Sequence, residues 1–178
     1  RTVHRHRMAD VVTGAAEAMA TRFEIALHGG PVATLRASAE EALAEVSRLE
    51  SMLSLFEPTS EISHINARAA REPVPVSPEV FILLKRCIDL SKQTKGAFDI
   101  TIAPLMKCWR FMNDTGSVPT ENEIENACAL VGIEQVKLNS CDSTVQLNRE
   151  GVMLDLGSIG KGYALEQAST LLLENKFN

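Results

Sequence analysis

No apolar run in this 178-residue chain is long enough to cross a bilayer, and its start lacks the apolar segment of a signal peptide. The first absence argues against a membrane-spanning helix; the second leaves the compartment open. Positive charge is scarce as well. Lys and Arg number 18 against 23 Asp and Glu, for a formal net charge of -5, and no basic cluster follows Arg1, Arg5 and Arg7. Nucleic acid is therefore not expected as a main partner, and residues 1–17 read as a flexible basic tail. There is no C-x-x-C pair. Cys87, Cys108, Cys128 and Cys141 are widely spread with no His nearby, which argues against zinc and makes buried free thiols the expected state. Two disulfides in an oxidising compartment stay open. His4, His6, His28 and His64 show no spacing that compels a metal site. Neither an internal repeat nor a low-complexity linker marks a boundary, so residues 18–178 read as one domain with a sizeable core, 45% of the chain being hydrophobic.

What is present is a sequence of changing periods. Phe23, Ile25 and Leu27 alternate with Arg22, Glu24 and Ala26, which predicts a strand from Ala18 to Leu27, stopped by Gly29-Gly30-Pro31. From Val32 to Leu53 the spacing turns helical. Leu35, Ala39, Leu43, Val46 and Leu49 form one face, while Glu40, Glu41, Glu45, Arg48 and Glu50 face water. A short helix capped by Thr59 or Ser60 follows. The next is announced by Ser77 as N-cap with Pro78 in its first turn and ends near Gly96. The capping box Thr120-x-x-Glu123 opens another, closing at Gly132. A hairpin of residues 135–138 and 144–147 then leads to a predicted strand over 152–156, and a last helix runs from about Lys161 to about Glu174. The fold class is α+β, a mixed or antiparallel sheet with packed helices.

The chemistry-bearing stretch is Leu154-Asp-Leu-Gly-Ser-Ile-Gly-Lys-Gly-Tyr163, in which three glycines, a lysine and an aspartate crowd a strand-to-helix junction. Backbone N–H groups from Gly157 to Gly162 would approach an anion at a helix N-terminus, with Lys161 adding a point charge. It is not a Walker A loop, because Gly162 stands where a Ser or Thr would hold a nucleotide-bound metal, nor is it G-x-G-x-x-G. A structural turn that needs positive φ remains the alternative. Two more segments stand out. In Gly96-Ala-Phe-Asp99, the aspartate either caps the next helical turn or meets a ligand. In the loop from Ser51 to Asn66, Phe56 either stacks on a flat ring system or covers the core.

Taken in order, these segments resemble the ApbE-like FAD:protein FMN transferases. Met19-Ala-Thr21 is similar to that family's Met-Gly-Thr. Leu53-Ser-Leu-Phe-Glu-Pro-Thr-Ser-Glu-Ile-Ser-His-Ile-Asn66 resembles its Leu-Ser-x-aromatic…Ser-Glu…Asn segment. Gly96-Ala-Phe-Asp99, with Pro104 and Trp109, resembles its Gly-Ala-Phe-Asp block, and the run from Asp155 to Ala164 its Asp-Leu-Gly-Gly-x-Ala-Lys-Gly-Tyr-Ala loop. Ser158 and Gly160 replace Gly and Ala of that loop, and Ala20 and Phe56 replace Gly and Tyr or Trp.

The resemblance implies binding of FAD and Mg²⁺, with transfer of FMN to a Ser or Thr hydroxyl of a flavin-accepting partner protein and release of AMP. It makes Met19 and Phe56 flavin contacts, and Ala97, Phe98 and Asp99 a block gripping FAD. It turns Gly157 and Tyr163 toward the dinucleotide, Lys161 toward a phosphate and the Gly160 carbonyl toward the metal. No catalytic residue is assigned. Family chains run about a typical domain's length further, so the fold is expected to be incomplete at its C-terminus, leaving open a homo-oligomer or a missing segment. Two other readings stay open: a non-catalytic FAD-binding half-domain, and a pyrophosphatase yielding FMN and AMP. By the same resemblance the compartment is the periplasm or the outer face of the bacterial inner membrane, the cytoplasm being the alternative.

Overall fold

The alternating strand begins later than periodicity indicates, at Thr21, because Met19 and Ala20 form a turn, and a separate strand that alternation does not mark precedes them. The computed structural model describes residues 11–113 and 116–175. In it β1 (Val11–Ala18) and β2 (Thr21–His28) form an antiparallel hairpin, paired from Val11↔His28 to Ala18↔Thr21. Residues 11–17 are thus strand and not tail; residues 1–10 lie outside the described residues. Gly14, Ala15 and Ala16 give β1 almost no hydrophobic contrast, so only its pairing with β2 reveals it. Met19 and Ala20 close the hairpin with φ of 51° and 55°, the left-handed pair that a two-residue type I′ turn requires.

The chain divides into two compact units, Arg1–Ser51 with Ile159–Asn178, and Met52–Ser158. No linker marks the first boundary, because it falls inside α1 (Val32–Leu53), the predicted 22-residue helix. The first unit holds the hairpin, nearly all of α1 and α6 (Gly160–Glu174). Leu27, Leu35 and Ala39 form a buried cluster there, against which Val12, Ile25 and Leu172 pack. Leu35, Ala39, Val46 and Leu49 of the predicted apolar face are buried, as are Ala42 and Ser38. Asn175 Nδ2 donates to Glu41 Oε2 at 3.1 Å, joining the end of α6 to α1.

The second unit contains α2 (Glu61–Arg68), β3 (Val74–Pro75), α3 (Pro78–Gln93), α4 (Ala103–Cys108), α5 (Glu121–Cys128), β4 (Val136–Asn139) and β5 (Thr144–Leu147). Its sheet is antiparallel in the order β3-β5-β4. Ser60 caps α2 by accepting from Ser63 N–H, and Ser77 caps α3 by accepting from Val80 N–H, with Pro78 at the first position. The capping box of α5 is complete, and the Thr120 amide and hydroxyl hold the Glu123 carboxyl below its ordinary pKa. Helix α3 ends in a Schellman arrangement, Gly96 N–H to Ser91 C=O at 2.8 Å and Lys95 N–H to Lys92 C=O at 3.2 Å, with Lys95 itself left-handed. The core gathers Ile62, Ile65, Leu83, Leu84, Ile100, Val145 and Leu147.

Three further expectations change. Helix α5 stops at Cys128, and Gly132, at φ 139°, instead begins a short 3-10 turn over Ile133–Gln135. Residues 152–156 alternate in burial as expected, yet they join no sheet. Their backbone partners come from a side chain and a loop, described below. Of the four cysteines, all free, only Cys87 is buried, and burial pushes its thiol up to about 12; Cys108 is half-buried, while Cys128 and Cys141 are exposed.

Candidate functional site

Within the second unit, three of the singled-out segments meet at the chain between Leu154 and Gly157. Leu154 is fully buried, so both of its backbone polar groups need partners. Asn66, at the end of the Ser51–Asn66 segment and now on α2, supplies both. Its Oδ1 accepts from Leu154 N–H at 2.7 Å and its Nδ2 donates to Leu154 C=O at 3.0 Å. One residue on, Asp155 N–H donates to Ile100 C=O at 2.7 Å, next to the Gly96–Asp99 block. A carboxamide and a loop carbonyl thus do for this segment what a neighbouring strand would do, which is why it alternates without being a strand.

Asp155 then turns the chain. Its Oδ1 accepts from Gly157 N–H at 2.7 Å, and a Cβ on Gly157 would stand 3.0 Å from that same oxygen. The Gly157 amide, expected to face an anion, is therefore committed within the chain. Asp99 is also engaged locally. Its Oδ1 takes Thr101 N–H at 2.7 Å and Thr101 Oγ1–H at 2.6 Å, while Thr101 Oγ1 accepts from Gly132 N–H at 2.7 Å. Asp99 thus holds a local turn at Thr101 and does not cap α4, whose N-cap is Ile102 with no side-chain bond, and Thr101, fully buried, holds that oxygen in place. Phe98 is half-buried and its N–H donates to Thr94 Oγ1 at 3.1 Å; Ala97 is exposed. Phe56 does not cover the core. It is 70% exposed on a turn that Ser54 Oγ holds by accepting from the Phe56 and Glu57 amides at 3.1 Å each.

In the first unit the singled-out residues gather at the start of α6. Gly160 is its first residue and is buried, Lys161 is exposed, and Tyr163 is half-buried. The Met19 sulfur lies 3.8 Å from where a Cβ on Gly160 would be, and the Met19 amide donates to Glu50 Oε1. Tyr163 N–H to Ile159 C=O, 2.9 Å, closes the first turn, so the amides of Gly160, Lys161 and Gly162 precede the helical ladder. No side chain caps this end and no acidic residue lies in its first turn. A Cβ on Gly162 would meet nothing within 4 Å. None of Gly157, Gly160 and Gly162 has positive φ, so the structural alternative, a turn built for left-handed backbone, does not account for them.

Among the described residues no group of three or more His, Cys, Asp or Glu side chains could hold a metal ion. The predicted metal contact rests on the Gly160 carbonyl alone, which keeps a second lone pair beyond its helical hydrogen bond. Sequence reasoning left Asn66, Thr101 and Asp155 without roles. Nothing local marks Asn66, whose partner lies 88 residues away.

A family model described as ApbE family matches residues 19–178. The chain is 33% identical over 159 residues to a FAD:protein FMN transferase of Klebsiella pneumoniae, covering 86% of this chain and 50% of that protein. It is 31% identical over 147 residues to a FAD:protein FMN transferase of Treponema pallidum, covering 80% and 41%. Among solved structures it is similar to the ApbE protein of Thermotoga maritima, with a TM-score of 0.87, 29% identity, and 93% of this chain and 53% of that one covered. The flavin transferase ApbE of Vibrio cholerae gives a TM-score of 0.81 at 27% identity, covering 96% and 55%. The chain spans about half the length of the curated relatives it matches.

Proposed function

Since the chain belongs to the ApbE family, we propose that it takes part in transferring FMN from FAD to a Ser or Thr hydroxyl of a partner protein, with release of AMP. The hydroxyl oxygen bonds to the phosphorus on the FMN side of the pyrophosphate. The bridge to AMP breaks, AMP leaves with the electron pair, and the hydroxyl proton passes to solvent or a base. Such a transfer asks a protein mainly to position the reactants and to spread negative charge.

The observation that carries this reading is the first turn of α6, with amides preceding the ladder, no cap, no acidic residue and an exposed Lys161. Such a helix end favours a phosphate. Glycine at 162, where a Cβ would meet nothing within 4 Å, is consistent with close approach of a ligand to the backbone. Met19 and Phe56 are proposed as flavin contacts, the exposure of Phe56 suiting it to stack on an isoalloxazine ring. Ala97, Phe98 and Asp99 are proposed to grip the dinucleotide, with Asp99 Oδ2 left to accept from it, since the hydrogen bonds of Asp99 fall on Oδ1. Tyr163 and Gly157 belong to the same proposed set. Mg²⁺ would add charge neutralisation at the phosphates. The described residues offer it the Gly160 carbonyl and no carboxylate cluster, so a complete metal site does not form from them, and no step is derived through the ion.

That shortage of ligands keeps a non-catalytic FAD-binding half-domain as the second reading. AMP release from FAD, measured with Mg²⁺ and then with EDTA beside a Ser/Thr acceptor protein, separates them. Metal-dependent release, with flavin retained covalently on the acceptor and loss on the order of 10²-fold in Asp99→Ala, is the expected result. Saturable FAD binding without release would leave the half-domain. AMP release with no retained flavin would indicate hydrolysis.

A further inference from the structure

We infer that Asn66 is a positioning residue: its carboxamide holds the backbone of Leu154 and through it fixes the aim of Asp155 and Gly157 toward a bound flavin dinucleotide. The ligand named here rests on the proposed function; the positioning does not.

Leu154 is fully buried and its N–H and C=O are met by one side chain, at 2.7 and 3.0 Å. A carboxamide is the side-chain group that can donate and accept side by side in this way, and at neutral pH a carboxylate can only accept. The next residue is tied to Ile100 C=O, and the one after the following is tied back to Asp155 Oδ1. Each polar tie between 154 and 157 thus comes from a loop or a side chain and none from a ladder. A sheet would distribute the register over many hydrogen bonds. Here Asn66 alone sets it at Leu154, and Asn66 reaches from the same segment that carries Phe56. Release of the carboxamide frees the stretch that turns at Asp155, while α3 and the β3-β5-β4 sheet keep their own hydrogen bonds.

The test uses Asn66→Ala and Asn66→Asp with Asn148→Ala as control, since Asn148 makes one exposed side-chain bond to a backbone carbonyl, that of Glu134 at 2.8 Å, elsewhere in the unit. Amide hydrogen exchange is read first. In Asn66→Ala the Asp155 and Gly157 amides are expected to exchange at least about tenfold faster, with α3 amides unchanged. Equal acceleration throughout the unit would mean global destabilisation and overturn the proposal. FAD binding, followed by flavin fluorescence below the melting temperature of each variant, is expected to weaken on the order of 10- to 100-fold in Asn66→Ala and not in Asn148→Ala. Unchanged affinity would overturn the link to the ligand. Asn66→Asp adds a pH readout, because its carboxyl regains a donor for Leu154 C=O only when protonated. Its affinity should recover from pH 8 to pH 5 relative to the parent chain, and a flat ratio would count against the role. If the parent chain does not bind FAD, the functional reading fails while the exchange experiment still decides the positioning.

Discussion

The hairpin turn at Met19-Ala20 and the run from Gly157 to Gly162 use glycine in opposite ways. The turn adopts left-handed backbone at both central residues and contains no glycine. The run contains three glycines and adopts left-handed backbone at none of them. Steric cost explains glycine in a turn of the first kind, and here that cost is borne by Met and Ala. Glycine in the run therefore answers to what lies against it. At Gly157 that is Asp155 Oδ1, at Gly160 it is the Met19 sulfur, and at Gly162 it is nothing in the described chain. The difference separates two reasons for losing a Cβ, one internal to the backbone and one directed at a neighbour.

Gly162→Ala breaks the comparison most sharply. In a helix, alanine in place of glycine is worth about 1 kcal/mol, and no described atom opposes the added methyl. Thermal unfolding should show the gain while FAD affinity falls by roughly tenfold, on the view that the ligand needs the space. A variant that is more stable and binds as before would show that the open space at Gly162 is not used. A smaller effect is expected at the hairpin. Ala20→Gly should stabilise by about 0.5–1 kcal/mol through relief of left-handed strain, with FAD binding unchanged. Met19→Gly relieves similar strain but removes the sulfur beside Gly160, so its binding should weaken where that of Ala20→Gly does not.

The smallest effect is a control on all these variants. Because burial raises the Cys87 thiol to about 12, a thiol reagent at pH 8 should label Cys128 and Cys141 and leave Cys87 silent until unfolding. The sign follows: folding favours the protonated thiol, so this contribution is complete below the unfolded value of about 9 and is lost as pH rises toward about 12. Early labelling of Cys87 in a variant would report a loosened core instead of a local change.

Much of the fold was legible because its determinants are local. The face of α1, the caps at Ser60, Ser77 and Thr120, the β4–β5 hairpin and α6 each follow from residues within a turn or two. What was not legible depends on distant partners. Alternation over 152–156 reports half-burial, and that pattern is the same whether a strand or the Asn66 carboxamide satisfies the backbone. The strand β1 is small-residue backbone whose identity lies in β2. At the candidate site, residue types in Asp99, Phe56 and the glycine run pointed to the segments. The exposure of Phe56, the commitment of Gly157 N–H and the support from Thr101 and Asn66 all required three dimensions.

The left-handed Ala20 has an evolutionary side. Every alanine codon lies one base change from a glycine codon, so the relaxed version of this turn, with the glycine of the Met-Gly-Thr segment that Met19-Ala-Thr21 resembles, is a single mutational step away. A protein held only above a threshold of stability has no pressure to take such a step. The turn is thus a reserve, available to offset a destabilising change elsewhere in the chain.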